Sequence, residues 1–132
     1  MKIIDKVAYL HFDNGRILST RSKGKDKYYI PGGKREPGET DTETLVREIK
    51  EELSVDIRPE TARFYGVFKA QAHGHAEGIT VKMTCYTADF EGKLQAESEI
   101  AEIVWLNYED IDKVSPVDKL IFEDLNAKGL LL

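Results

Sequence analysis

The chain has 132 residues, enough for one domain with its own core, and its net charge of −5 argues against a stable nucleic-acid complex held by a basic surface. Cys85 is the single cysteine and cannot form a disulfide within the chain, which is typical of a reducing compartment. No apolar run reaches the roughly 18 residues that span a bilayer, and the N-terminus has no signal-peptide pattern. We therefore expect a cytoplasmic protein without a membrane partner.

The first elements in chain order are two strands of a predicted β-hairpin. Val7 to Phe12 and Ile17 to Arg21 are β-type runs, and Asn14-Gly15 between them suits a two-residue turn with positive φ angles. A lysine-rich loop follows, and Pro31-Gly32-Gly33 then interrupts regular structure. Residues 16–35 hold seven basic residues and one acid, so this segment is strongly basic.

The strongest helix signal begins at Thr40. Thr40 is placed to cap the helix, and Glu43 three residues later completes a capping box. Apolar residues then recur at helical spacing up to an expected end near Leu53 and Ser54. Residues 36–60 hold nine acids and three basic residues, so the basic loop leads directly into an acidic helix.

The second half of the chain contains more strands and one more helix. Ala62 to Ala70 and Ile79 to Phe90 are β-type runs separated by a polar loop, and Ile103 to Leu106 is a short buried strand. Pro116 starts a last helix with its apolar face formed by Leu120, Ile121 and Leu125. Strands occur both in a hairpin and around a crossover helix, so we expect a mixed sheet with helices on both faces.

Three glutamates lie close together on the first predicted helix. Glu48, Glu51 and Glu52 stand at i, i+3 and i+4, and at about 100° per residue they fan over one side. Like charges at this spacing repel, and the macrodipole near the C-terminal end of the helix disfavours them further. Hard divalent cations remove this cost, since carboxylate oxygens are the ligands that Mg²⁺ prefers. Taken alone, the motif is also compatible with a solvated acidic face.

The glutamates belong to a longer pattern of fixed spacing. Gly33 is followed after five residues by Glu39, and after seven more by Arg47-Glu48-Ile49-Lys50-Glu51-Glu52, one further residue and Ser54-Val55. This 23-residue stretch resembles the Nudix box, a loop–helix–loop signature that has glycine at the position of Ser54. Eight of its nine specified positions match. The chain is identified as a member of the Nudix family, similar to its MutT-like members, with residues 1–132 forming a single domain.

The resemblance implies a fold, an activity and a cofactor. The fold is α/β, an α/β/α sandwich with a mixed, largely antiparallel and partly parallel sheet. The activity is hydrolysis of a phosphoanhydride bond in a nucleoside diphosphate derivative, with Mg²⁺ or Mn²⁺ as cofactor. The favoured substrate is a free nucleoside triphosphate, intact or oxidised. The alternatives are ADP-ribose, a dinucleoside polyphosphate, capped RNA, or a non-catalytic nucleotide-binding scaffold. The resemblance leaves open whether the protein is a monomer or a homodimer.

The family pattern also implies roles for residues of the box. The catalytic acids in the box, which also bind the metal, are Glu48, Glu51 and Glu52. The backbone carbonyl of Gly32 is a further metal ligand. Gly33, Glu39 and Arg47 support the box, and Arg47 pairs with Glu39. If Glu48 points toward the metals, Arg47 points away from them. Serine instead of glycine at position 54 removes no metal ligand. In a left-handed conformation, however, serine is less favourable than glycine by about 1 kcal/mol.

One more acid is implied outside the box. MutT-like members carry a further metal-assisting glutamate on the loop before a late strand. Glu99 is our candidate for this catalytic and metal-binding role, and Glu97 and Glu102 are its rivals. Either Glu48 or Glu99 would accept the proton of the attacking water.

Substrate contacts are predicted in three places. Arg21 and Lys23, at a strand end beside the box, are candidates for binding the substrate phosphates. His73-Gly74-His75 has two histidines without a third partner, which seldom bind a metal, and contact with the substrate or a role as a mobile lid is weighed against an ordinary surface loop. Three aromatic residues are candidates for stacking on a nucleobase, although each alone is more often a core or sheet-surface residue: Tyr28, Tyr29 and Phe68.

Overall fold

The structure is a computed structural model that describes residues 2–132, and in these it contains nine β-strands and two α-helices. The strands are β1 (Lys2–Tyr9), β2 (Phe12–Asp13), β3 (Arg16–Ser22), β4 (Gly32–Lys34), β5 (Asp56–Ile57), β6 (Arg63–Gln71), β7 (Ile79–Thr87), β8 (Phe90–Glu91) and β9 (Ile100–Leu106). The helices are α1 (Asp41–Leu53) and α2 (Pro116–Ala127), and 3-10 turns cover Pro59–Thr61 and Tyr108–Lys113.

The strands form one mixed sheet and two smaller antiparallel sheets. The mixed sheet has the order β4-β1-β7-β6, in which β1 and β7 are parallel and the two outer pairs are antiparallel. The second sheet has the order β2-β3-β9, and β5 pairs with β8. This is the mixed, largely antiparallel and partly parallel arrangement that was expected.

The two helices cover opposite faces of the mixed sheet. Along β1, Ala8 belongs to an apolar cluster that contains Ile121 of α2, whereas Val7 belongs to a cluster that contains Ile49 of α1. Successive side chains of a strand point to opposite faces. The alternation along β1 therefore gives each helix its own buried face, and the α/β/α sandwich is confirmed.

The predicted N-terminal hairpin is only partly correct. Asn14 and Gly15 have the positive φ angles of a tight turn, 53° and 76°, but the turn joins only the two residues of β2 to β3. The first half of the expected strand from Val7 to Phe12, residues 7–9, belongs instead to β1, which pairs with β4 and β7. The long partner of β3 is β9, near the end of the chain. A turn motif determines only the local pairing, whereas the other partners of a strand depend on distant residues.

Helix α1 has the predicted limits. The hydroxyl of Thr40 accepts the N–H of Glu43 at 3.1 Å, and the carboxylate of Glu43 accepts the N–H of Thr40 at 2.9 Å. The capping box is therefore present. Ser54 ends the helix in the left-handed conformation, with φ 62° and ψ 21°. The chain thus uses serine where the family pattern has the glycine that adopts this conformation without a steric cost.

The later elements have the predicted order but different bounds. β7 ends at Thr87, because Phe90 and Glu91 leave the mixed sheet and pair with β5. Helix α2 starts at Pro116 as expected, but Leu120 is 42% exposed, so its assignment to the apolar face is wrong. Phe122 is the buried residue there. Within residues 2–132, neither helix has both the length and the apolar composition needed to cross a bilayer.

Candidate active site

Strand β4 meets the acidic side of α1 at two glycines. A Cβ atom at Gly33 would overlap the carboxylate of Glu48, so only glycine leaves room for that carboxylate. Gly32 has φ 151°, and a Cβ there would collide with the backbone carbonyl of Val7. The N–H of Gly32 donates to Oε1 of Glu52 at 3.2 Å. The two glycines therefore allow Glu48 and Glu52 to lie against the edge of the sheet.

The three box acids differ in exposure and in pKa. The side chain of Glu51 is 54% exposed, whereas that of Glu48 is 15% exposed. Burial raises the pKa of Glu52 to about 7, and the nearby charge of Glu48 adds to this effect, while the N–H of Gly32 opposes it. Burial also raises the pKa of Glu48. Burial makes the ionised forms of these two carboxylates unfavourable. A cation bound beside them would stabilise the ionised forms, so the site favours cation binding.

Arg47 connects the loop of the box to the helix. Its guanidinium forms a two-pronged hydrogen bond to Glu39, at 2.7 and 2.9 Å, and donates to the carbonyl of Lys34 at 3.0 Å. The hydrogen bonds from Arg47 lower the pKa of Glu39 to about 2. The expected pairing with Glu39 is present.

Arg47 also contacts two of the box acids. Its Nη1 lies 3.4 Å from Glu48 and 3.5 Å from Glu51. The cause is the reach of the side chain: Glu51 is one helical turn further along the same face, and a guanidinium can contact several carboxylates at once. Arg47 therefore also reduces the repulsion within the acidic group.

Arg21 is not free to bind a substrate phosphate in this structure. Its Nη2 donates to Glu102 at 3.0 Å, and the hydroxyl of Tyr28 donates to the same carboxylate at 2.6 Å. These contacts also engage Glu102, one of the rivals of Glu99. Lys23 is exposed beside this pair, and Lys25, which the sequence did not single out, lines the cavity described below.

The loop before β9 lies against the C-terminal end of α1. The N–H groups of Gln95 and Glu97 donate to the carbonyls of Leu53 and Glu52 at 2.9 and 3.0 Å. The carbonyl of Glu99 instead accepts the N–H of Lys23 at 2.8 Å. The side chains of Glu97 and Glu99 are both exposed, and of these two residues Glu97 has the backbone bond to α1.

A cavity of about 190 Å³ lies beside Glu52 and Gly32. Strands β1 and β7 and the first residues of α2 contribute to its lining. Of the three aromatic candidates, Tyr29 lines this cavity, whereas Tyr28 bonds to Glu102 and Phe68 packs against the core. His73 also lines it, with Nε2 3.0 Å from Asp26. The cavity thus extends from the acidic box to the loop of residues 71–78.

Besides Lys25, two ionisable residues were missed from the sequence, one in the lining of this cavity and one buried in α2. Lys6 lines the cavity from β1. Asp118, in the first turn of α2, is completely buried, and Oδ2 accepts the N–H of Ile30 at 2.9 Å. Its Oδ1 has no hydrogen-bond partner among residues 2–132, and burial raises its pKa to about 7. Strand alternation places Lys6 on the same face as Ile4 and Ala8, and this apolar row was the only signal available in the sequence.

The remaining candidates for chemistry have structural explanations. Within residues 2–132, no three His, Cys, Asp or Glu side chains are grouped closely enough to enclose a metal ion by themselves. Cys85 is fully buried, and burial raises the pKa of its thiol, so it is a small core residue rather than a nucleophile.

Comparison with known proteins now identifies the family. Residues 5–125 match the NUDIX domain family model. The chain belongs to the Nudix family. This Nudix hydrolase is 31% identical over 115 residues to the CTP pyrophosphohydrolase of Escherichia coli, an alignment that covers 83% of this chain and 80% of that protein.

Solved structures of similar proteins have the same fold as this Nudix hydrolase. The E. coli ORF135 protein superimposes with a TM-score of 0.75 at 28% identity, covering 97% of this chain and 94% of that one. The MutT NUDIX hydrolase from Burkholderia pseudomallei superimposes with a TM-score of 0.73 at 21% identity, covering 93% of this chain and 98% of that one. The sequence-based assignment to a Nudix hydrolase of the sandwich fold is confirmed.

Proposed function

We propose that this Nudix hydrolase cleaves a phosphoanhydride bond of a free nucleoside triphosphate, with Mg²⁺ or Mn²⁺ bound at the box. The observation that carries the proposal is the position of the cavity, which has Glu52 and Gly32 of the box in its lining. A nucleoside in the cavity would place its phosphates at the acids of α1. At about 190 Å³, the cavity is smaller than the roughly 300 Å³ typical of pockets for larger ligands, which favours one nucleobase over two.

The residues of the box fit a hard divalent cation. Glu48 and Glu52 are partly buried carboxylates with raised pKa values, and carboxylate oxygens are the ligands that such cations prefer. Mg²⁺ is commonly held by one or two carboxylates together with water and substrate phosphates. A complete cage of protein side chains is therefore not needed. In our proposal Glu48, Glu51 and Glu52 hold the cation with the carbonyl of Gly32.

The reaction is substitution at phosphorus by water, in which a phosphoanhydride bond breaks and a new P–O bond forms. A bound divalent cation would neutralise phosphate charge and lower the pKa of a water molecule. Glu48 or Glu99 accepts the proton of the attacking water, and both remain candidates for this role. Arg47 and Glu39 hold the loop of the box against α1, and Lys23 and Lys25 are the basic residues available to the phosphates.

The proposal is tested by a turnover screen. The substrates are the nucleoside triphosphates, their oxidised forms, ADP-ribose, dinucleoside polyphosphates and capped RNA, each with Mg²⁺, with Mn²⁺ and with excess EDTA. We expect a nucleoside triphosphate to give the monophosphate and pyrophosphate, and EDTA to abolish turnover. Full hydrolysis in excess EDTA would contradict the metal-dependent mechanism.

Two other outcomes of the screen separate the alternatives. A clear preference for ADP-ribose, a dinucleoside polyphosphate or capped RNA would refute the substrate class while leaving the box chemistry in place. Lack of turnover on every substrate, combined with nucleotide binding, would favour the non-catalytic scaffold.

A further inference from the structure

Lys6 places a positive charge in the inner part of the cavity. Its neighbours in the mixed sheet are Met83 on β7 and Lys34 on β4. Met83 also lines the cavity, as do Ile4 and Val81. A lysine beside these three apolar residues is unusual, because an aliphatic side chain would fill the position without the cost of removing a charge from water.

The ammonium group of Lys6 has no protein partner that explains its position. Burial lowers its pKa, and the surrounding charges act on it only through space, the first of them that of Asp118. Among residues 2–132, neither Asp118 nor Glu52 forms an ion pair or hydrogen bond with it. The donor capacity of this ammonium group is therefore available to a molecule that enters the cavity.

We propose that Lys6 determines base specificity by donating a hydrogen bond to a carbonyl oxygen of the substrate nucleobase. This inference rests on the proposed function, since it assumes that a nucleotide occupies the cavity with its phosphates toward the box. Lys6 shares the cavity with Tyr29 and with three apolar residues, Ile4, Val81 and Met83, while Glu52 of the box lies in the same lining. The apolar and aromatic side chains suit the faces of a base rather than a phosphate. Cytosine, guanine and uracil carry such a carbonyl oxygen, whereas adenine has none and presents its N6 amino donor where guanine has O6.

The experiment compares CTP, GTP, UTP and ATP with the wild-type enzyme and with Lys6→Met, which keeps the length of the side chain and removes its charge. We expect the wild type to prefer the three carbonyl-bearing bases. In Lys6→Met, kcat/KM should fall by about tenfold or more for these substrates, because a hydrogen bond to a charged group is lost, and should stay nearly unchanged for ATP. The matched control is Lys34→Met, the same change at the exposed partner of Lys6 on β4, which should leave the preference unaltered.

Binding provides a second readout that does not depend on catalysis. Calorimetric titration with the nucleoside monophosphates, without metal, should show that Lys6→Met weakens CMP, GMP and UMP but not AMP. Lys6→Gln, which keeps a neutral donor, should retain part of the preference and serves if the methionine variant does not fold. Normal turnover with an unchanged base preference in the variants would overturn the inference about Lys6 and leave the proposed function in place. An equal loss for all four bases would also overturn it, because it would place Lys6 at the phosphates. A wild-type protein that binds these monophosphates but hydrolyses no nucleotide would refute the proposed function and leave the inference to be decided by binding.

Discussion

Glu52 is the box acid whose surroundings differ most from those of a surface glutamate. It lies at the junction of α1, β4 and the cavity, and its only hydrogen-bond donor among residues 2–132 is the N–H of Gly32. Burial raises its pKa to about 7. An anion in such a place is unfavourable for folding and useful for holding a cation, so activity and stability should respond in opposite directions to its removal.

Glu52→Gln tests this opposition. The substitution keeps size and helix propensity but removes the charge, so we expect kcat to fall on the order of a hundredfold. The metal-free Tm should hold or rise near neutral pH, because a buried charge and its repulsion with Glu48 are lost. Glu123→Gln, an exposed glutamate on α2, is the control and should change neither quantity. A variant with native kcat would show that this acid is not needed for catalysis, and would favour the alternative that the box acids form a solvated acidic face.

Asp118 allows a prediction on pH dependence. Its pKa is about 7 in the folded protein against an ordinary 3.8, so the fold favours the protonated form. The wild type should therefore lose stability as pH rises from about 4 to about 7, and lose no more from this group above that range. Asp118→Asn lacks this dependence and should have the higher Tm at about pH 8, with the difference vanishing at about pH 4. Parallel Tm profiles for the two proteins across this range would show that the carboxyl titrates normally.

At the scale of elements, the C-terminus of α1 carries a local strain. Ser54 has φ 62°, a conformation that costs a residue with a Cβ about 1 kcal/mol. Ser54→Gly should therefore raise the free energy of unfolding by up to about 1 kcal/mol, less the entropy that glycine adds to the unfolded chain. Denaturant unfolding measures this change, and kcat should stay as in the wild type. A loss of stability would mean that the serine side chain contributes a contact that outweighs the strain.

The connection between the box loop and α1 should be lost in acid. Glu39 has its pKa lowered to about 2 by the hydrogen bonds from Arg47, so its contribution to stability is present above about pH 4.5 and is lost as pH falls toward 2. Glu39→Gln should be less stable than the wild type near neutral pH, and the gap should narrow as the pH falls below about 4. Urea midpoints across this range test the expectation. A difference between the two midpoints that does not change with pH would mean that the loss of stability comes from altered packing rather than from the lost charge of Glu39.

At the scale of the whole molecule, the charge pattern of the sequence becomes a basic segment next to an acidic helix. The structure modifies its meaning, because Arg21 is paired with Glu102 while Lys25 lines the cavity. Charges of exposed lysines near a site steer anionic ligands, and salt screens this effect. Substrate attraction should therefore depend on Lys25 more than on Arg21.

Lys25→Ala should raise KM for a nucleoside triphosphate, leave kcat nearly unchanged and weaken the dependence of KM on salt. Arg21→Ala should act mainly on stability, and modestly, because water and salt screen exposed ion pairs. Steady-state kinetics at low and high salt, with Tm values for both variants, distinguish the two effects. The reverse pattern, with KM sensitive to Arg21 alone, would mean that substrate binding breaks the pair with Glu102.

The sequence by itself determined the features that depend on neighbouring residues. The capping box of Thr40 and Glu43, the tight turn at Asn14-Gly15 and the start of α2 at Pro116 were all predicted, because caps and turns are set by local hydrogen bonds and backbone preferences. The spacing of the box also identified the family and the acidic face of α1. These conclusions required no knowledge of which distant residues meet.

Only the tertiary structure decided which strands pair and which charges remain free. The strand expected from Val7 to Phe12 was divided, because β1 finds its partners in β4 and β7 rather than in the nearby β3. The pairing of Arg21 with Glu102 and the position of Lys6 at the cavity depend in the same way on residues far apart in the chain. Local preferences carry no information on such contacts, since burial and charge pairing arise from the packing of the whole molecule.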